Sequence, residues 1–175
     1  MPTMTLLPDD TGAATDLLWI AVGESTRHVA LESDDGDTSY VTCGTDGKRM
    51  TLEFADPTVA EEDINFDAGI IIRFITSGRT PGRGSLGSDV HIKFQVPSGF
   101  EETINYHNNV AYETENGTFR TEKPDSSAWS YDDLRNLEIR CTKSGTATVR
   151  LSYLALEVTY TEPVTTNATF FGANF

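Results

Sequence analysis

Along much of this chain apolar and polar residues alternate one for one, the period of a strand with one face turned to a core. Met50, Leu52 and Phe54 alternate with Arg49, Thr51 and Glu53, and Val90, Ile92, Phe94 and Val96 alternate with His91, Lys93 and Gln95. Leu137, Ile139 and Cys141 repeat the pattern against Glu138 and Arg140, and a longer run begins at Val149 and continues to Tyr160. Within that run the apolar side slips by one position after Tyr153, which predicts a bulge or a strand covered on both faces. Shorter strands are expected over 17–22, 29–31, 39–43, 70–74, 102–106 and 110–113, giving about nine or ten in all.

Turn signals separate these runs: DDGD, TDGK, SGRTPGRGSLGS, PSG and ENG. Helical periodicity never exceeds one or two turns, and 131–136 is the best candidate for a short helical turn. Together the pattern predicts an all-β fold, a two-sheet antiparallel β-sandwich of the jelly-roll type. At 175 residues and 19.2 kDa the chain fits one such domain. Pro163 interrupts the last strand, so the expected division is a sandwich over 1–162 and an extended C-terminal arm over 163–175.

Charge narrows the partners. Thirteen Lys and Arg stand against 27 Asp and Glu, a formal charge of -14, with a pI near 4.4. Such a surface repels phosphate, so neither nucleic acid nor an anionic membrane is an expected partner. No apolar run approaches the roughly 20 residues that span a bilayer. The opening MPTMTLLPDD has neither a basic start nor a long apolar stretch, so synthesis in the cytoplasm without a signal peptide is expected. Cys43 and Cys141 lie at the ends of strand-like runs and read as buried free thiols, with a strand-to-strand disulfide as the alternative.

Candidate chemistry is sparse. His28, His91 and His107 are scattered without metal-ligand spacing. Gly82, Gly84 and Gly87 satisfy GxGxxG, but a strand follows them where the dinucleotide fingerprint needs a helix. No GxSxG elbow or GxxxxGK[ST] loop is present, and no carboxylate pair is singled out, so no catalytic residue and no enzyme activity are expected. The segment ESDDGDTSY, 32–40, is the densest acidic stretch. Asp34, Asp35 and Asp37 would supply oxygens to a structural calcium ion, although the spacing is not that of an EF-hand. The competing reading is a tight DDG turn with solvated acids that leads into a strand, and no cofactor.

The order of an early Trp19, DDGDTSYV entering a strand, WSYDDLRNLEIRC and a closing VRLSYLALEVTY resembles a β-sandwich found in structural proteins of tailed phages. The resemblance covers about 17–160 and carries no functional residues. It implies a non-enzymatic virion component held by subunit contacts, most simply a capsid decoration, cement or minor head protein. Its partners would be the major capsid or tail protein and copies of itself. The alternative is a tail- or fibre-associated or carbohydrate-binding module that contacts a host glycan.

For a glycan, Trp129 and Tyr131 in SSAWSYDD form the expected aromatic platform, with Tyr106 and Tyr112 as further candidates; the competing role for Trp129 is a core or rim aromatic. For subunit contacts, Arg79 and Arg83 lie in TSGRTPGRGSLGSD, read as a long loop over 76–89, and would reach a neighbour's carboxylate or be merely solvated. The arm PVTTNATFFGANF has no ionisable side chain. Phe170, Phe171 and Phe175 are expected to dock on a neighbouring subunit, on the capsid or tail protein, or back on their own domain.

Overall fold

A computed structural model describes residues 1–11, 15–81, 88–94, 101–105, 111–123 and 125–164. Eleven strands are present among them: β1 (Thr3–Leu6), β2 (Pro8–Thr11), β3 (Ile20–Val22), β4 (Tyr40–Cys43), β5 (Arg49–Phe54), β6 (Ile71–Arg79), β7 (Ser88–Phe94), β8 (Glu101–Asn105), β9 (Glu113–Asn116), β10 (Glu138–Gly145) and β11 (Val149–Thr159). One sheet runs β3-β4-β11-β6-β9, with β1 paired to the C-terminal half of β11; the other runs β2-β5-β10-β7-β8. Every pairing is antiparallel. Successive strands repeatedly change sheet, as from β4 to β5, β5 to β6 and β10 to β11. The fold is the expected all-β two-sheet sandwich, with the crossing connections of a jelly roll.

The alternating residues meet between the sheets. Met50, Leu52 and Phe54 of β5, Val90, Ile92 and Phe94 of β7, and Ile139 and Cys141 of β10 are buried against Ile72 and Phe74 of β6 and Leu154, Leu156 and Val158 of β11. Phe74 and Phe94 bridge the layers with ring centroids 6.3 Å apart. The predicted slip in the last strand is a bulge: the register of β11 against β6 shifts between Leu151 and Tyr153. It re-aims the strand, so that Arg150 before the bulge and Tyr153, Ala155 and Glu157 after it share the outer side of the sheet with Ser77, Ile75 and Arg73.

Four expectations need correction. Val29–Leu31 forms a 3-10 helix rather than a strand, and its buried Ala30 and Leu31 pack beside β11 and β4; a three-residue apolar run does not distinguish the two. The loop read over 76–89 is shorter, because β6 continues through Thr76 to Arg79 and β7 starts at Ser88. The strand expected at 110–113 lies at Glu113–Asn116 instead. β1 and β2 were not expected, since PDDT lacks strand composition and is ordered by its pairing to β5. The short helix is present as α1 (Tyr131–Arg135), opened by a capping box between Ser130 and Asp133.

Candidate functional site

The outward face of the first sheet gathers charge and aromatic rings at one end. In register, Arg79 of β6 lies beside Arg150 of β11, which lies beside Thr42 of β4. Between and above these strands the ESDDGDTSY segment folds over, and its three aspartates take three different partners. Asp35 closes its own turn, accepting from the backbone N–H and hydroxyl of Ser39 at 3.0 and 2.9 Å. Asp34 accepts from the Ser152 hydroxyl at 3.1 Å, beside the bulge. Asp37 reaches the arginines: its Oδ1 accepts from Arg79 Nη2 and, at 3.1 Å, from Arg150 Nη1, with the Tyr112 hydroxyl 3.4 Å away.

Each guanidinium also lies over a ring. Arg79 sits 4.9 Å from the Tyr112 centroid and Arg150 sits 4.6 Å from that of Tyr40. Stacking on one side and a carboxylate on the other fix both side chains, so few rotamers remain to be lost on binding. Gly36, at φ +68°, supplies the left-handed residue of this turn, which passes beside the Tyr112 ring. Burial, reinforced by the charge of Asp37, pushes the Tyr112 phenol up to about 12, so it remains a donor at neutral pH. Tyr153 is raised too, by burial and then by Asp34. The arrangement is a fixed array of donors, acceptors and half-buried tyrosines. Among the described residues no group of acids, histidines and cysteines is placed to hold a metal ion, and the separate engagements of Asp34, Asp35 and Asp37 account for the acids of this turn.

Several predicted site residues lie elsewhere. Trp129 is 3% exposed and packs on Phe94 with centroids 6.5 Å apart, so it offers no platform for a sugar. Its place in the core follows from the chain entering α1 immediately afterwards, with Leu134 and Leu137 buried behind it. Tyr131 is half-buried, edge-on to Phe66, and its hydroxyl donates to the Val59 carbonyl at 3.0 Å. The platform reading of SSAWSYDD is therefore replaced by a packing role. Arg79 engages Asp37 of its own chain. Arg83, Tyr106, Phe170, Phe171 and Phe175 lie outside the described residues.

Of the sequence candidates, the structure joins Asp34, Asp37, Arg79 and Tyr112 with Tyr40, Arg150 and Tyr153, which the sequence reading passed over. A signal existed for two of the three. Tyr40 and Arg150 occupy the polar positions of alternating strands, whereas Tyr153 falls on the apolar side of the alternation and is turned outward only by the bulge.

No family model matches the sequence, and no curated protein does. Solved structures superpose weakly. The xylanase 10B modules of Clostridium thermocellum, a carbohydrate-binding module with its catalytic module complexed with xylohexaose, give a TM-score of 0.44 at 11% identity, covering 97% of this chain and 30% of that one. The enzymatically active domain of bacteriophage CBA120 tailspike protein 4 gives 0.42 at 9% identity, covering 88% and 19%. A family 16 carbohydrate-binding module gives 0.36 at 12% identity, covering 68% and 76%. The sandwich assignment stands on the two sheets themselves.

Proposed function

We propose that this protein is a non-catalytic carbohydrate-binding sandwich acting on the exterior of a tailed-phage virion, as a tail- or fibre-associated component. The observation that carries the reading is the cluster of Tyr40, Tyr112 and Tyr153 around Asp37, Arg79 and Arg150 on one outward sheet face. A sugar presents hydroxyls that both donate and accept, and C–H faces that pack on rings. Guanidinium donors beside a carboxylate acceptor answer the first, and half-buried tyrosines answer the second. The virion setting is supported by the sequence resemblance. Within that setting the uncharged 163–175 segment would tether the module to the capsid or tail protein, or to another copy.

A glycan array probed with the wild type and with the Arg79→Ala/Arg150→Ala variant tests the binding reading. The wild type is expected to retain a set of glycans that the folded variant loses. A wild type that binds none, yet is counted at hundreds of copies per purified particle, would instead make it a head decoration protein.

A further inference from the structure

Among the described residues the exposed large apolar side chains are few, and three of them stand together: Leu17 at 85%, Leu18 at 45% and Ile20 at 54%. Single exposed apolar residues are ordinary, but a contiguous group marks a surface that is covered in use. Leu17 and Ile20 line a groove of about 390 Å³ where two sheet edges meet, that of β2 through Asp10 and Thr11 and that of β3 through Ile20 and Ala21. His28 lines it too, and its Nδ1 is buried without a hydrogen-bond partner. Among the described residues β3 pairs with β4 alone, so its other edge is available to a further strand.

The chain itself holds a segment suited to this groove. Residues 165–175, TTNATFFGANF, carry no ionisable side chain in a protein of charge -14, so an acidic surface does not repel them. Threonine and phenylalanine favour strands, and the rings of Phe170 and Phe171 match the apolar group in kind. The groove of the same copy is out of reach. Ile20 is in register with Thr42 and, through it, with Arg150 at the start of β11. The segment leaves from the other end, where the Tyr160 N–H donates to the Pro2 carbonyl and the Asn65 N–H to that of Thr161. From Arg150 to Thr159, β11 runs roughly 30 Å at the rise of a strand. Phe171 follows Val164 by seven residues, a span of at most about 25 Å when fully extended.

We infer that the 165–175 segment of one copy occupies the groove between β2 and β3 of a second copy, with Phe170 and Phe171 packed on Leu17, Leu18 and Ile20 and the backbone added as a strand at the edge of β3. The inference rests on the tether reading of 163–175 and fixes both its partner and its seat. Donor and acceptor surfaces differ, so the contact is heterologous and propagates head to tail unless its rotation closes a ring.

Sedimentation velocity of the full-length protein and full-length variants tests this. The wild type is expected to form species larger than a monomer as concentration rises. Ile20→Asp, which blocks the groove, and Phe170→Ser/Phe171→Ser, which blocks the segment, should each associate about tenfold more weakly. Mixed together, they should form a dimer and stop there, because one intact segment meets one intact groove. Leu17→Asp, at a position 85% exposed, repeats the groove test where folding is not at stake. Association lost in Phe170→Ser/Phe171→Ser but intact in both groove variants overturns the groove. A wild type that stays monomeric overturns the second copy as partner; the tether itself still stands if Phe170→Ser/Phe171→Ser is then absent from purified particles. If that variant associates and joins particles like the wild type, the tether reading fails and this inference fails with it.

Discussion

Asp133 illustrates how closely individual side chains are specified here. Its Oδ2 accepts from the Ser130 N–H at 2.8 Å, the Ser130 hydroxyl at 2.6 Å and Lys123 Nζ at 2.9 Å. Partial burial alone would raise this carboxyl, but the bonds from Ser130 and Lys123 prevail and hold it below its ordinary 3.8. A depressed carboxyl contributes stability that is fully present above that ordinary value and is lost as the pH falls through the folded one. Asp133→Asn is expected to cost about 1 kcal/mol at neutral pH and to flatten the acid limb of stability measured by denaturant unfolding between neutral pH and acid. An unchanged acid limb would remove Asp133 from that account. The thiols give a second residue-scale outcome. Burial pushes Cys141 up to about 12 and raises Cys43 as well, and both are free. Native protein should react with a thiol reagent far more slowly than urea-unfolded protein; rapid native labelling of both would contradict the placement of β4 and β10.

At the scale of elements, the strands legible in the sequence were those with one buried face and several periods. Residues 49–54, 90–94 and 149–159 showed themselves because each apolar side chain answers to the same core. β1 and β2 gave too few periods, and β2 exists through its partner rather than its composition. The site divided the same way. Asp37 and Arg79 were visible as unusual local chemistry, but their meeting depends on β6 pairing with β11, across sequence distances that no local pattern encodes. Trp129 misled because a tryptophan beside a turn looks exposed until the layer behind it is known. The connection from β3 to β4 offers a sharp test of the architecture. Gly23 has φ +87°, and a Cβ there would lie 2.1 Å from the Thr38 carbonyl oxygen; Gly47 has φ +72° but open space around it. Gly23→Ala should lower unfolding stability by about 2–4 kcal/mol, the backbone strain of about 1 kcal/mol and the overpacking of about 1–3 kcal/mol together. Gly47→Ala should cost only the backbone term, about 1 kcal/mol. Equal losses in urea titrations would show that the close approach at Gly23 is not as described.

For the whole molecule, the formal charge of -14 sets the surface against anionic partners. Truncation after Val164 is expected to leave the sandwich cooperative and close to its full-length melting temperature, because β11 ends at Thr159 and the core cluster of the described residues ends at Tyr160, before the cut. On the proposed tether, the truncated protein should no longer join particles or self-associate, as read by light scattering and particle composition. Loss of folding would instead make the segment part of the domain.

The claim that most needs direct measurement is the location of the binding face. Amide and side-chain chemical shifts of labelled protein, followed while a retained oligosaccharide is added, would map it. The account predicts that the shifts concentrate on Asp37, Tyr40, Tyr112, Arg79, Arg150 and Tyr153, and spare α1 and the second sheet. Perturbations centred on Trp129 and Tyr131, or on β5 and β10, would contradict it.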